Sequence, residues 1–216
     1  MSEHTPPQST QVIVVGIGTV RPYAERDRNR HTEHMRVVAG ELGGRKLVSP
    51  DGDDTRPTSD RVREAIFNSL FSLDAIDEAR VLDAFAGSGA LGIEALSRGA
   101  SHATFVETGR AALAALRENI ETLRLGPDSQ VVPGDALAHL ERSAATGSGY
   151  DLVLLDPPYG FDGWAALLAL MPEGAVVVIE SDRAVEVPDS WVVHRVKQYG
   201  STVVTLATAT STPGAV

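Results

Sequence analysis

From Arg80 onward, short apolar runs alternate with stretches of helical spacing. "RVLDAF" predicts a strand, "ALGIEALSRG" a helix, "ATFVE" a strand, "RAALAALRENIETLRL" a helix and "QVVPGDA" a strand. The rhythm continues with "DALAHLERSA" as helix, "YDLVLLD" as strand, "GWAALLALM" as helix and "AVVVIES" as strand. "WVVHRVKQYG" and "STVVTLAT" then predict a closing antiparallel pair. Strands separated by helices need right-handed crossovers, so the pattern implies a mainly parallel α/β sheet covered on both faces. No internal repeat interrupts it.

The chain ahead of Arg80 reads differently. "MRVVAGELGGRKLVSP", from Met35, predicts a short β-hairpin with Gly43-Gly44 as its turn. "DGDDTRPTSD" is a loop. Ser59 or Asp60 caps a helix through "RVREAIFNSLFSL", where Val62, Ile66, Leu70 and Leu73 keep helical spacing. Residues 1–34 stand apart: "SEHTPPQST" is low in apolar content and expected to be disordered, "QVIVVGIGTV" reads as a strand, and "RPYAERDRNRHTEH" as a charged linker. Gly16 and Gly18 lack the third glycine of a nucleotide loop and are set aside. Met35 is a candidate natural start. The expected organisation is an extension over 1–34, a hairpin and helix over 35–79, a ligand-binding α/β domain over 80–209 and a disordered tail over 210–216.

Composition adds exclusions. With 216 residues, 43% of them hydrophobic, the chain can bury one sizeable core. It has no cysteine, which removes disulfides and thiolate metal sites. No apolar run approaches the roughly 20 residues of a membrane helix, and the polar N-terminus is unlike a secretory signal, so a cytoplasmic location is expected. Net charge is −10, yet residues 1–65 are neutral, with ten basic and ten acidic side chains, and the whole excess lies in 66–216. Arg21, Arg26, Arg28, Arg30, Arg36, Arg45, Lys46 and Arg56 precede the first clear helix. A local basic face of that kind can hold phosphate on an acidic protein; an ordinary solvated segment is the plain alternative.

Two motifs carry chemistry. "VLDAFAGSGALG" places Gly87, Gly89 and Gly92 in G-x-G-x-x-G spacing between a strand and a helix, and Glu107 ends the next strand. Such glycines let backbone approach a ligand at a helix N-terminus, and the acid accepts from ribose hydroxyls. A nicotinamide oxidoreductase is therefore one alternative. Asp83 tilts against it, because a carboxylate before the glycines repels pyrophosphate and welcomes an ammonium. Ala84, Phe85 and Ala86 also lengthen the turn. Ribose at one end and ammonium at the other describe S-adenosylmethionine. Asp135, after the third strand, can accept from an adenine amine, cap the following helix, or do both.

The second motif, "DLVLLDPPYG", ends a buried strand in an acid, two prolines and a tyrosine. Prolines fix the backbone and leave only carbonyl acceptors. Asp156 and the Pro157 carbonyl, held rigid by Pro157 and Pro158, can accept both hydrogens of an exocyclic base amine and so free its lone pair, while Tyr159 stacks on the base. The simpler reading is a strand exit with no other role.

Asp-Pro-Pro-Tyr after such a glycine turn resembles the amino-methyltransferases that act on base nitrogens. "MRVVAGELGGRKL", "TRPTSDRVREAIFNSL" and "LDAFAGSGALGIEALSRGA" resemble the RsmD family, bacterial methyltransferases of guanine N2 in small-subunit (16S) ribosomal RNA. The resemblance spans Met35 to about Ala209. It implies a Rossmann-like class I fold with a seven-stranded, mainly parallel sheet, an antiparallel last strand and a small RNA-facing hairpin. It implies S-adenosylmethionine as cofactor, with Asp83, Phe85, Gly87, Ser88, Gly89, Glu107, Asp135 and the adjoining Ala136 around it. Asp156, Pro157, Pro158 and Tyr159 become the catalytic loop. Arg36, Arg45, Lys46, Arg56, Pro57, Thr58, Asp60 and Arg63 become the RNA-facing set. A monomer acting on 16S RNA within the small subunit or its precursor, without membrane or metal, completes the expectation. Adenine-N6 methylation of DNA or RNA is the nearer alternative, disfavoured for DNA because no domain is left over to read sequence.

The remaining candidates read as structural. His31, His34, His102, His139 and His194 show no metal spacing and are expected on the surface or in loops. Trp164 and Trp191 are expected in the core, and Asp51, Asp53 and Asp54 lack the flanking ligands of a calcium loop.

Overall fold

The computed structural model describes residues 35–50 and 59–210. Residues 1–34, residues 51–58 with Arg56, Pro57 and Thr58, and residues 211–216 lie outside the described residues, as do the expectations placed on them. Helix α1 spans Asp60–Ser72, and Ser59 caps it by accepting the Val62 N–H, which bears out that reading. Alternation follows as β1 (Arg80–Asp83), α2 (Ala90–Ser97), β2 (His102–Glu107), α3 (Arg110–Leu123), β3 (Ser129–Pro133), α4 (Ala136–Thr146), β4 (Leu152–Leu155), α5 (Trp164–Leu168), β5 (Val176–Ser181), β6 (Val192–Tyr199) and β7 (Thr202–Thr208).

The seven strands form one sheet in the order β3-β2-β1-β4-β5-β7-β6. The first five are parallel, and β7 inserts antiparallel between β5 and β6. β4 is buried at every position, as a strand covered on both faces must be. One face packs Val81, Phe105, Leu152 and Val204 against Ile66 and Phe67 of α1, Leu91 and Ile93 of α2 and Leu116 of α3. The other packs Leu82, Val153, Val177 and Ile179 against Leu140 of α4 and Leu167 and Leu168 of α5. Strand order reverses between β1 and β4. A crevice therefore opens at the carboxyl ends of those two strands, where ligands bind in sheets of this kind.

Two local expectations change. The hairpin from Met35 makes a single bridge, Arg36 with Lys46, and its turn is wider than Gly43-Gly44. The reason lies in α2. The Glu94 carboxylate, fully buried, accepts the Val38 and Ala39 N–H groups at 2.7 and 3.0 Å, and Ser97 Oγ accepts the Leu42 N–H, so these donors leave the ladder. Helix α5 stops at five residues. Leu170 and Met171 bond three residues back in tighter turns, and Pro172 cannot continue the helix. His139, expected at the surface, is buried in α4 with its Nε2 2.7 Å from the Tyr150 hydroxyl. Burial, reinforced by the Arg142 charge, lowers its pKa. Trp164 is buried, as expected.

Candidate active site

β1 ends at Asp83, and the chain turns through Ala84–Gly89 before α2 begins. Gly89 sits at the helix N-cap with φ of 86°, a conformation glycine adopts without strain, and it offers no side chain to cap the helix. Asp83 supplies the missing acceptor from across the turn: its Oδ2 takes the Gly92 N–H at 2.9 Å. The carboxylate thus sits at the positive end of α2. Gly92 answers to packing, since a Cβ there would stand 2.4 Å from the Phe105 ring. Gly87 is different. Its φ is 54° and nothing lies within 4 Å of where a Cβ would be, so that part of the turn faces open space.

Glu107 ends β2 beside this turn. Its two carboxylate oxygens accept the Gly87 N–H at 2.7 Å and the Gly109 N–H at 2.6 Å. Asp135 caps α4 by accepting the Ala138 N–H at 3.0 Å, and Ala136, the first helical residue, is buried behind it. The cap reading of Asp135 is therefore realised.

Asp156 follows β4 directly, and β4 pairs with β1 so that Leu154 lies opposite Asp83. Asp156 is half-buried, Pro157 buried, and Pro158 and Tyr159 exposed. Phe161 donates its N–H to the Pro158 carbonyl at 3.2 Å, closing the turn. Its ring meets Phe85 of the glycine turn edge-on at 5.6 Å and Trp164 at 5.1 Å. The two motifs are thereby joined by an aromatic cluster. Tyr159, 59% exposed, presents its ring outward, with its hydroxyl 3.5 Å from Thr202 Oγ1 at the β6–β7 turn.

Three carboxylates thus converge at the strand ends. Burial pushes the Asp83 carboxyl up to about 7; the Gly92 N–H opposes this, and the charges of Asp156 and Glu107 add to it. Such a negative mouth disfavours a pyrophosphate and suits a ligand carrying positive charge. S-adenosylmethionine has two cationic centres, an ammonium and a sulfonium, besides ribose hydroxyls that need acceptors. The open turn at Gly87 and the carboxylates of Glu107 and Asp83 fit it. Among the described residues no cluster of His, Asp or Glu is arranged to hold a metal. A cavity of about 330 Å³ lies elsewhere, at the opposite ends of the strands, lined by Leu140, Ser143, Tyr150 and Met171 among others.

The RNA-facing set divides. Arg36, Arg45 and Lys46 are exposed. Arg63 is not: it is fully buried, donating to Asp60 Oδ1 at 2.7 Å and the Arg36 carbonyl at 2.8 Å, with Glu94 3.9 Å away. It serves the interior, and the expectation that it faces RNA is corrected. Asp60 is engaged between Arg63 and Arg36, whose Nε donates to it at 2.9 Å. The reason is Glu94, a buried carboxylate that needs cations and donors around it; Arg98 also donates to it at 2.7 Å. Glu94 went unnoticed in the sequence, although one acid in the apolar run "ALGIEALS" was its signal. Asn119 was missed as well. Its amide donates to the carbonyls of Val48 and Ser88 at 3.0 and 2.9 Å, tying the front segment to the glycine turn.

Comparison with known proteins agrees with this arrangement. The family model described as conserved hypothetical protein 95 matches residues 35–208. The chain is 40% identical over 183 residues to ribosomal RNA small subunit methyltransferase D of Escherichia coli, covering 77% of this chain and 85% of that one. It is 33% identical over 174 residues to the protein of the same name from Haemophilus influenzae, covering 77% and 89%. A solved structure of a hypothetical protein from Thermus thermophilus superposes with a TM-score of 0.70 at 31% identity, covering 81% of this chain and 99% of that one.

Proposed function

The chain belongs to the RsmD family, whose model matches it from residue 35 to residue 208, and from that premise we propose that it transfers a methyl group from S-adenosylmethionine to a guanine N2 amine of small-subunit ribosomal RNA. S-adenosylmethionine-dependent methylation of ribosomal RNA follows from the family. An exocyclic base amine as the acceptor is supported by one observation: the acceptor-rich Asp156–Tyr159 turn stands across the strand-order reversal from Asp83 and the glycine turn. Guanine N2 among such amines is what the resemblance to the RsmD family implies.

When bound, S-adenosylmethionine supplies an electrophilic methyl group on a positively charged sulfur. Asp83 and Glu107 would hold its charged and hydroxyl groups, with Gly87, Ser88, Gly89, Phe85, Asp135 and Ala136 around it. Asp156 and the Pro157 carbonyl hold the two hydrogens of the target amine, which turns the nitrogen lone pair out of conjugation with the ring. Pro157 and Pro158 keep both acceptors fixed, so little reorganisation accompanies attack. Tyr159 stacks on the base once it has left its own stack. Asp156 takes the proton that the amine loses.

Arg36, Arg45 and Lys46 supply phosphate contacts on the front segment, together with Arg56 and Thr58, while Pro57 belongs to the same RNA-facing set without donating. The unit of organisation is the hairpin and helix over 35–79 leading into the catalytic domain over 80–209, with residues 1–34 dispensable for the chemistry. Among the described residues no helix is long and apolar enough to cross a membrane. The proposal includes action by a single chain in the cytoplasm, on the small subunit or its precursor. The test is transfer of labelled methyl to small-subunit RNA, followed by nucleoside analysis. N2-methylguanosine is the expected product; label in N6-methyladenosine would overturn the choice of base.

A further inference from the structure

Strand β6 is the sheet edge, and it is exposed along its length up to Gln198. A bulge between Val193 and Arg195 resets its alternation. Beyond it, Arg195, Lys197 and Tyr199 pair with Leu206, Val204 and Thr202 of β7. Val204 and Leu206 belong to the core face covered by α1, so the three residues rise along that same face. They are spaced about 7 Å apart.

Each cation is held in place. Arg195 donates through Nη1 to Ser69 Oγ on α1 at 2.7 Å, leaving a guanidinium with four further donors. Lys197 Nζ stands over the Tyr199 ring, 5.0 Å from its centroid. Among the described residues neither takes part in an ion pair. What sets the two apart is that each is oriented by a neighbour and that they stand together beside an aromatic ring, on a chain of net charge −10. The stripe also has a direction. It climbs toward the β6–β7 turn, where Thr202 meets the Tyr159 hydroxyl of the proposed base-binding loop.

Resting on the RNA reading above, we propose that this face of β6 is a track for the single-stranded RNA flanking the target base, with Arg195 and Lys197 on consecutive stretches of its phosphate backbone. A base can reach the Asp156 turn only when extruded, so the chain beside it is locally unstacked and its phosphates pass the rim of the mouth. That rim is the end of β6. Charge complementarity and continuity with Tyr159 favour this occupant over an acidic protein segment, which would have no reason to lie beside the base loop.

The experiment uses the full chain with the double substitution Arg195→Gln, Lys197→Gln. Affinity for small-subunit RNA is measured against salt concentration, and methyl transfer against RNA concentration. Affinity should fall at least tenfold, and the slope of log affinity against log salt should shrink by about 1.4, two phosphates at about 0.7 each for a single strand. KM for RNA should rise while kcat at saturating RNA and affinity for S-adenosylhomocysteine stay as in wild type. Lys197→Arg should keep the wild-type slope, because it keeps the cation. Arg117→Gln with Arg142→Gln, exposed on α3 and α4, removes equal charge and should leave the slope unchanged. An unchanged slope and KM in the β6 variant would overturn the track while wild-type methylation leaves the function standing. So would an equal loss in the α3/α4 variant, which would reduce the effect to net charge. If wild type itself neither binds nor methylates small-subunit RNA, the underlying function fails and the track with it. Should the double variant unfold, Lys197→Gln alone gives the same reading with a slope change of about 0.7.

Discussion

Oε2 of Glu107 accepts the N–H of Gly87 at 2.7 Å, so the acid ending β2 also holds the glycine turn that follows β1. A group placed to meet a ribose thereby shapes the loop that meets the rest of the cofactor. Glu107→Ala should lower affinity for S-adenosylhomocysteine by roughly five- to 150-fold, the equivalent of losing acceptors worth about 1–3 kcal/mol. It should also lower the melting temperature, because Gly87 and Gly109 lose their acceptor. Calorimetric titration and thermal unfolding measure the two effects. Wild-type affinity would remove Glu107 from the cofactor site.

Asp156→Asn separates chemistry from binding. The amide keeps one acceptor but loses the charge and adds a donor, which meets the donor hydrogens of the target amine or turns away as a weaker neutral acceptor. Single-turnover methyl transfer should slow by roughly 10²-fold or more, as when one preorganised electrostatic contact is lost. Cofactor affinity should stay within a few-fold. Equal losses in both would return Asp156 to a structural role at the strand exit.

The raised Asp83 pKa sets a pH dependence. Its folded value of about 7 exceeds the ordinary value of 3.8. Between those limits the folded chain holds the extra proton, so this group's contribution to stability is full below the lower value and is lost as pH rises through about 7. A cofactor ammonium favours the ionised carboxylate and so opposes the shift. Affinity for S-adenosylhomocysteine should therefore rise from about pH 6 to about pH 8, with proton release on binding at the lower end. Asp83→Asn should flatten both the affinity profile and the stability slope. A pH-independent wild-type affinity would show that Asp83 does not sense the ligand.

Glu94→Ala should be the most damaging of these changes to the fold. It leaves Arg63 fully buried with only Asp60 as counter-charge, strips Arg98 of its partner and frees the Val38 and Ala39 N–H groups. Removing one member of a buried charge cluster costs about 3–5 kcal/mol. Urea unfolding should show that loss, and limited proteolysis should cut within 35–50 before the rest. Intact protection of that segment would mean that its own buried side chains, Val37 and Leu47, suffice to hold it.

Amino-acid order determined the sheet. Apolar runs at strand length separated by helical periods fix a parallel α/β arrangement, because each crossover must bury one helix stripe against one strand face. The glycines, Glu107 and Asp156 were legible because strand ends place them, and strand ends are local. What only the tertiary structure decided is which polar groups turn inward. Arg63 and Arg36 are both arginines of the front segment, yet Arg63 is sealed inside and Arg36 is exposed. The difference lies in the distance between α1 and Glu94 of α2, two elements whose separation no local pattern records. Asp83 likewise reads as an open carboxylate, but it caps the helix that Gly89 leaves uncapped, a contact spanning nine residues and a turn. On β6, alternation by itself puts Arg195, Lys197 and Tyr199 on one face, but not on the face covered by α1 with Tyr159 at the end. That took a bulge and the antiparallel insertion of β7, both settled by long-range pairing.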